Sequence, residues 1–335
     1  MLLSHIARQI GGRLEGPDVE VSGLCPPGQD GAGSLVVVRE ARFLEAALAG
    51  GAALVVEEGL KCPAGRSLIR VEKVGRVWPE VLGLFDVPIR WAEAGVHPTA
   101  VIGAGARVDP AAAVGAFVVI GAGARVEAGA VVAPHGYIGE GAVVGEGSVL
   151  EPRVTLYPGT VLGKGCKIAA GAVLGAVGFG FQNRQRLPHT GRVVLEEGVE
   201  IGANCVIQRS VVGDTRVGAF SKIGDLTNMG HNAQVGKNVV MVGSSAIGGS
   251  AVLEDEVLMG GWVVVSDHVR IEKGATVAGG SGISKTVPAG QTWASGLPAQ
   301  PIRQHWRRLA LLDWLVGVER KLRRLLGSEN PQDKG

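Results

Sequence analysis

An aliphatic residue returns at every sixth position along most of the stretch 102–283. A first run extends from Ile102 to Leu174, a second holds Leu195, Ile201 and Ile207, and a third extends from Val211 to Ile283. A helix repeats about every 3.6 residues and a strand every two, so neither element explains a period of six. One short strand and one corner in each repeat do explain it, which predicts a parallel β-helix.

The composition agrees with such a fold. The residue four positions after the aliphatic one is small in most repeats, as at Ala106, Ala124 and Ala142. The chain has 54 glycines among 335 residues, and aromatic residues make up only 4%. Because glycine tolerates backbone conformations that other residues avoid, many tight corners are expected. The core is therefore predicted to consist of Val, Ile, Leu and Ala.

The repeat resembles the left-handed hexapeptide acyltransferase fold. In that fold three hexads form one triangular coil, so residues 18 apart stack on one face. The resemblance implies that Gly249 and Gly213 stack on either side of His231, which leaves the histidine in an open slot. His268 is expected on the same face two coils further on, and Asp225 one corner earlier. Proteins of this fold usually form trimers with active sites between subunits.

The hexads fail between Leu174 and Leu195. This segment contains Gly178, Phe179, Gly180 and Phe181 in succession, and a loop that leaves a regular scaffold is often a binding element. A tolerated insertion without a function is the alternative.

Different patterns flank the repeat. The first hundred residues predict a small α/β domain with a helix from Leu3 to Ile10, strands at Ser34–Val38 and Ala53–Val56, and a short helix from Phe43 to Leu48. Towards the other end, apolar residues from Trp306 to Leu325 recur at helical spacing among arginines and lysines, which predicts an amphipathic helix. We expect domains at 1–96, 97–298 and 299–335, with disorder from Ser328 onward. The fold class is mainly β.

Several classes of function are disfavoured. A formal net charge of only +2 does not indicate binding to nucleic acid. The four cysteines are far apart in sequence, so neither a disulfide framework nor a zinc site is expected. The N-terminus does not resemble a signal peptide, and no apolar run is long enough to span a membrane. These observations favour a cytoplasmic protein without an integral membrane segment.

Short motifs resemble the UDP-3-O-acylglucosamine N-acyltransferase family of lipid A synthesis, and the resemblance covers nearly the whole chain. The order of a small N-terminal domain, a β-helix and a C-terminal helix also matches. The motifs that carry the resemblance are Gly95–Ala100, Val154–Gly159, Gly178–Phe181, Glu200–Asn204, Gly230–Asn232 and Ser295–Pro301.

This resemblance implies a homotrimeric enzyme that uses acyl carrier protein and a UDP-amino sugar and needs no cofactor or metal. His231 would be the general base that takes the proton from the attacking amine, since the usual pKa of histidine is about 6.5. His268 would bind substrate or stabilise the oxyanion. The other substrate contacts implied are Asn232, Gly178, Phe179, Gly180, Phe181 and Phe43.

The chain departs from the family pattern at several places. Gln208 and Ser210 stand where the family usually has Asp and Gly, and Gly224-Asp225 replaces Asp-Asn. In the N-terminal stretch that contacts uridine in the family, Val37 replaces an aromatic residue and Glu40 an amide. Two alternatives therefore stay open: an acyltransferase acting on another amino sugar, and a non-catalytic trimeric scaffold that binds a sugar nucleotide. A metal-dependent carbonic anhydrase would need three converging histidines, and His231 and His268 have no such companion in the sequence.

Overall fold

The structure, a computed structural model, describes residues 1–29, 31–296 and 301–326. It divides into two compact units, Met1–Ile89 and Arg90–Gly335. Residues 297–300 of the last family motif, the expected domain boundary after residue 298, and the expected disordered tail from Ser328 lie outside the described residues.

The N-terminal unit contains a five-stranded mixed sheet with the strand order β1-β5-β4-β3-β2. Its strands are β1 (Arg13–Glu15), β2 (Gly23–Leu24), β3 (Ser34–Val37), β4 (Ala53–Glu57) and β5 (Leu68–Val71), and its helices are α1 (Leu3–Gln9), a 3₁₀ turn (Ala41–Phe43), α2 (Leu44–Ala49) and α3 (Val74–Phe85). The predicted α1, β3, β4 and α2 are confirmed. Helix α3 was not predicted, and it carries a proline at position 79.

The sheet of this unit separates two apolar clusters because side chains alternate along each strand. Leu35, Val37 and Val55 belong to the cluster that contains α1 residues, whereas Val36 and Leu54 belong to the other. Val37 is therefore a core residue with only 8% of its surface exposed.

The second unit contains the repeat, which forms three parallel sheets of ten, nine and eleven strands within the described residues. Most strands are two residues long, and in the two-residue strands of these sheets from Ala113–Val114 to Gly282–Ile283 the second residue is the buried apolar one. In regular coils the register follows the 18-residue spacing, so that Ile120 pairs with both Ile102 and Ile138. The fold class predicted from the sequence is confirmed: a mainly β chain with a left-handed parallel β-helix, a small N-terminal α/β unit and a C-terminal helix.

The first face of the β-helix is formed by Val101–Ile102, Val119–Ile120, Tyr137–Ile138, Thr155–Leu156, Val173–Ala176, Val206–Gln208, Asn228–Met229, Ala246–Ile247, Val264–Val265 and Gly282–Ile283. The second face is formed by Arg107–Val108, Arg125–Val126, Val143–Val144, Val161–Leu162, Arg192–Leu195, Asp214–Val217, Gln234–Val235, Val252–Leu253 and Arg270–Ile271. The third is formed by Gly95–Val96, Ala113–Val114, Val131–Val132, Val149–Leu150, Lys167–Ile168, Glu200–Ile201, Lys222–Ile223, Val240–Met241, Leu258–Met259, Thr276–Val277 and Thr292–Trp293.

The interior of the β-helix is one column of aliphatic side chains. Leu150, Leu156 and Ile168 are completely buried there, and burial of each stabilises the fold by about 1.5–3 kcal/mol. Glycine is needed where successive corners approach closely. A Cβ atom on Gly145, for example, would lie only 2.2 Å from the carbonyl oxygen of Gly163.

The regular spacing is lost in one region, residues 175–217. Leu162 pairs with Leu195 and Leu174 pairs with Ile207, so the chain makes an excursion over residues 177–191 before it rejoins the coil. A second insertion follows, because Ile207 and Val217 are consecutive core positions that lie ten residues apart instead of six. The prediction that Val211 is a core position of the repeat is wrong: it lies outside the strands and is only half-buried. We call residues 175–217 the irregular region.

The C-terminal helix is confirmed as α4 (Ile302–Leu326). Trp306, Leu311 and Leu315, which belong to its predicted apolar stripe, are exposed. The side chains of Arg320 and of residues 322–326, part of the predicted stripe and basic face, lie outside the described residues.

Candidate active site

His231 lies at a corner of the β-helix, two residues after the end of the strand Asn228–Met229. The corner is made by Asn232, which has a positive φ of 61° and follows the histidine. Asparagine tolerates this conformation better than most residues. The imidazole is half-buried, and its Nδ1 lies 3.1 Å from Oδ1 of Asn232.

Two backbone groups determine the orientation of the Asn232 amide. Its Oδ1 accepts a hydrogen bond from the N–H of Val211 at 3.0 Å, and its Nδ2 donates to the carbonyl of Val212 at 3.1 Å. Because a backbone N–H can only donate and a carbonyl can only accept, the amide has a single satisfactory orientation. The backbone N–H of Asn232 also donates to Oγ1 of Thr215 at 2.9 Å.

This orientation determines the tautomer of His231. Since Oδ1 of Asn232 is an acceptor, Nδ1 of His231 must carry the hydrogen in their contact. In the neutral ring Nε2 then holds a lone pair and is free to accept a proton. The second insertion supplies both Val211 and Val212, so the irregular region itself positions the group that orients the histidine.

Gly249 lies one coil above His231, as predicted. A Cβ atom on Gly249 would be 2.9 Å from both Cε1 and Nε2 of the imidazole, so only glycine leaves room for the ring in this position. On the strand before the corner Met229 pairs with Ile207, whereas on the strand after it Val235 pairs with Val217, which is 18 residues earlier. The second insertion lies between these two registers and places Val211 and Val212 against Asn232, so the position of Gly213 below His231 stays a prediction.

Arg209 ties the excursion to the β-helix. Its Nε donates to the carbonyl of Gly191 at 2.7 Å, and its Nη2 donates to the carbonyl of Pro158 at 3.0 Å. The guanidinium therefore links Gly191, at the end of the excursion, to Pro158 in a regular coil.

His189 is a neighbour of His231 that the sequence did not identify. It belongs to the excursion and is 7% exposed, and the centroids of the two imidazoles lie 5.3 Å apart in an edge-on arrangement. Its Nδ1 lies 2.9 Å from the carbonyl oxygen of Leu187, so Nδ1 carries a hydrogen and donates. The failure of the hexads at this segment was the only sequence signal, because a histidine after a proline is not distinctive by itself.

The Gly-Phe-Gly-Phe motif has two different sides. A Cβ atom on Gly178 would be 2.8 Å from Nε2 of His189, and one on Gly180 would be 2.9 Å from its Cε1, so both glycines face the buried imidazole. Phe179 and Phe181 point the other way: they are 81% and 44% exposed, and their ring centroids are 4.8 Å apart. The motif thus presents an apolar pair of rings while its glycines pack on a side chain next to His231.

The excursion has its own hydrogen bonds. A short hairpin pairs Phe181–Gln182 with Gln185–Arg186, and the Arg186 guanidinium lies 5.0 Å from the centre of the Phe181 ring. The N–H of Leu187 donates to the carbonyl of Gly180 at 2.9 Å.

His268 lies on the same edge of the β-helix as His231. Its backbone N–H donates to the carbonyl of Gly249 at 3.0 Å, and its side chain is exposed. Within the described part of the chain no hydrogen bond or ring contact joins the two histidines. Asp225 lies in a turn at another corner, where its Oδ1 accepts a hydrogen bond from the backbone N–H of Ala203 at 2.7 Å.

Phe43 belongs to the N-terminal unit. It ends the 3₁₀ turn, and its exposed ring lies 4.8 Å from the guanidinium of Arg42, which is paired with Glu40 at 2.9 Å. Val37, at the position where the family has an aromatic residue, is buried in the core of the sheet.

Two buried thiols are poor candidates for a nucleophile. Burial raises the pKa of Cys166 and of Cys205, and both thiols donate to backbone carbonyls. No three histidine, cysteine or carboxylate side chains converge on a possible metal site among the residues that the structure describes. None of the described helices has the length and apolar character needed to cross a membrane.

Comparisons with known proteins agree with the repeat and the motifs. Residues 137–176 match the family model described as bacterial transferase hexapeptide (six repeats). The UDP-3-O-acylglucosamine N-acyltransferase of Maricaulis maris is 48% identical over 160 residues, which are 47% of this chain and 46% of that protein. The chain thus spans about half the length of the first curated relatives that it matches.

Other relatives align over almost their full length. The UDP-3-O-acylglucosamine N-acyltransferase of Coxiella burnetii (strain Dugway 5J108-111) is 34% identical over 333 residues, or 96% of each chain. Among solved structures, the UDP-N-acetylglucosamine acyltransferase of Francisella novicida is similar with a TM-score of 0.50 and 22% identity, covering 60% of this chain and 67% of that one. At this identity the structural likeness supports the fold alone.

Proposed function

Because the chain belongs to the UDP-3-O-acylglucosamine N-acyltransferase family, we propose that it transfers an acyl chain from acyl carrier protein to the amine of a UDP-linked glucosamine in lipid A biosynthesis. The observation that carries the proposal is the defined tautomer of His231. Its Nδ1 is held by Asn232, so Nε2 is left as a proton acceptor beside Gly249. A general base of this kind accelerates proton transfer by about 10²–10⁴-fold.

In the proposed reaction the amine nitrogen attacks the thioester carbon of the acyl carrier. Nε2 of His231 takes one proton from the amine as the C–N bond forms. The tetrahedral intermediate then collapses, the C–S bond breaks, and His231 returns the proton to the leaving thiolate. The products are an amide and the free carrier thiol, so atoms and charge balance. In this scheme His268 binds substrate or stabilises the negatively charged oxygen of the intermediate.

The remaining site residues are assigned by the same proposal. Phe179 and Phe181 offer exposed apolar rings that suit an acyl chain, while Gly178 and Gly180 let the loop approach His189. Phe43 contributes a ring for the nucleotide end of the acceptor. A homotrimer, acyl carrier protein as the donor and a cytoplasmic location are parts of the proposal, and no cofactor or metal takes part in it.

A second candidate is an N-acyltransferase of the same kind with a different amino sugar as its acceptor. One observation favours it: Val37, which stands where the family has the aromatic residue for uracil, is buried, and Glu40 is paired with Arg42. The nucleotide end of the acceptor would then contact a surface that lacks the family's aromatic ring at position 37.

The test is acyl transfer from acyl carrier protein to a panel of UDP-amino sugars, with the native oligomer verified by light scattering. The proposal expects the highest kcat/KM for the 3-O-acylated UDP-glucosamine. A clear preference for another amino sugar would select the second candidate. Tight binding of these sugars without any turnover would replace both candidates by a non-catalytic scaffold.

A further inference from the structure

A buried polar atom next to His231 lacks a hydrogen-bond partner. Nε2 of His189 is one of three buried side-chain atoms without a partner among the residues that the structure describes. Since Nδ1 donates to Leu187, Nε2 of the neutral ring is an acceptor. An unpaired acceptor of this kind costs about 1–3 kcal/mol, so its burial needs an explanation.

A substrate group is a poor partner for this atom because Nε2 has essentially no accessible surface. The protein itself offers a better one. Oε1 of Gln208 would lie 2.7 Å, and Nε2 of His189 2.8 Å, from the same Cβ position at Gly178, so the two side chains converge in front of this glycine. Rotation of the Gln208 amide by half a turn exchanges its oxygen and nitrogen and directs an N–H donor towards the imidazole.

The position of His189 links three parts of the irregular region. Its ring packs on the glycine side of the Gly-Phe-Gly-Phe loop, its Nδ1 holds the end of that loop at Leu187, and its edge faces His231 at 5.3 Å. On another side His231 is close to Gly249. A shift of His189 would therefore move both the loop and the space in which the His231 ring can turn.

We infer that His189 is a positioning residue: hydrogen-bonded to Gln208 and Leu187, it holds the Gly178–Phe181 loop in place and limits rotation of the His231 ring. The catalytic part of this inference rests on the proposed function, whereas the structural part does not. A general base must be held within about 10–20° of its productive orientation. The His189 ring, which lies edge-on to His231, can restrict the His231 ring in this way.

The first measurement needs no substrate. Diethyl pyrocarbonate modifies unprotonated imidazole nitrogens, and mass spectrometry of peptides reports its reaction with His231. In His189→Ala we expect faster modification of His231 than in the native protein. Hydrogen exchange at the Leu187 amide should also accelerate by about 2–10-fold, because the loop loses interactions worth roughly one hydrogen bond. His135→Ala is the matched control, since that exposed histidine stacks on Phe117 in a regular coil.

The second measurement is acyl transfer. For His189→Ala we expect kcat to fall by about 10–100-fold, as a small misplacement of a base does, while KM for the acceptor changes by less than about threefold. In His189→Asn the amide nitrogen lies near the position of Nδ1 and can still donate to Leu187, so slow exchange at Leu187 should return while kcat stays low. Gln208→Met keeps the volume but removes the donor, and its Leu187 amide should exchange faster than in the native protein.

Several results would overturn the inference. Unchanged His231 modification and Leu187 exchange in His189→Ala would show that His189 positions neither group, and His189→Asn would decide the same point if the alanine variant did not fold. Full recovery of kcat in His189→Asn would show that the ring edge is unnecessary. Native exchange in Gln208→Met would exclude Gln208 as the partner. If the native protein transfers no acyl group, the proposed function fails, but the modification and exchange data still decide the structural part.

Discussion

The regular coils and the irregular region obey different rules. In the regular coils a residue stacks on the one 18 positions away, and its neighbours can be counted from the sequence, as Ile120 with Ile138 shows. In the irregular region the chain gains an excursion and a second insertion, and Met229 stacks on Ile207. The core column continues through both. The comparison teaches that the interior tolerates added residues at the corners, and that those added residues supply neighbours to His231 and Asn232, which themselves lie in a regular coil.

The largest difference in kcat between a substitution at the candidate site and one in a regular coil is expected for His231→Ala. Removal of the base should lower kcat by about 10²–10⁴-fold without a comparable loss of stability. His135→Ala, at an exposed corner of a regular coil, should leave kcat within about twofold because surface changes usually have small effects. Steady-state acyl transfer measures both, and equal rates for the two variants would contradict the assignment of the base.

The asparagine after the histidine gives the next contrast. Asn232→Ala removes the hydrogen bonds to Val211, Val212 and His231, so kcat should fall by about 10–100-fold as the imidazole loses its defined tautomer. Asn238→Ala is the matched control, since Asn238 also has a positive φ, 53°, at a regular corner. The free-energy cost of holding alanine at a positive φ is then similar in both variants. Identical kcat values would show that the second insertion does not orient the base.

A pair of glycines separates loss of activity from loss of stability. Gly145→Ala places a Cβ atom 2.2 Å from a backbone oxygen, so we expect destabilisation of about 1–3 kcal/mol. Gly249→Ala instead places it against the imidazole of His231, whose ring can move away. Its midpoint of thermal unfolding should change little, whereas kcat should fall by about tenfold. If calorimetry instead showed a lower midpoint of thermal unfolding for Gly249→Ala while kcat stayed the same, the ring of His231 would be unable to move away from the added Cβ atom.

The smallest expected effect concerns the two buried thiols. Burial raises the pKa of Cys166 and Cys205, so at pH 8 both remain protonated and should react slowly with a thiol reagent. Cys25 and Cys62 are half-buried and should react sooner. If the interior is equally closed throughout, Cys166 and Cys205 should react at rates within about threefold of each other. Much faster reaction of Cys205 would show that the core opens beside the second insertion.

The sequence predicted most where the repeat is unbroken. Every core position from Ile120 to Leu174 could be counted, because one inward residue per hexad has to be aliphatic. The same counting placed Val211 below Met229, which is wrong, because the second insertion shifts the register and Met229 pairs with Ile207. His189 was missed for a related reason: a loop that leaves the coil returns its side chains to positions that no periodicity specifies. In the N-terminal unit α3 was not predicted, and it contains Pro79, which usually marks a break.

The stacking of coils affects the order in which the parts of this chain fold. Each coil contacts only the coils above and below it, so folding can spread stepwise in either direction, as in other solenoids. The stretches on both sides of residues 175–217 have short, local connections and should order quickly. The middle coil must also close the excursion and the second insertion, whose entropic cost grows with their length. We therefore expect His231 to acquire its neighbour His189, and Asn232 its partners Val211 and Val212, only after the two blocks have joined. The defined tautomer of His231 would then form late in folding and be one of the first properties that local unfolding removes.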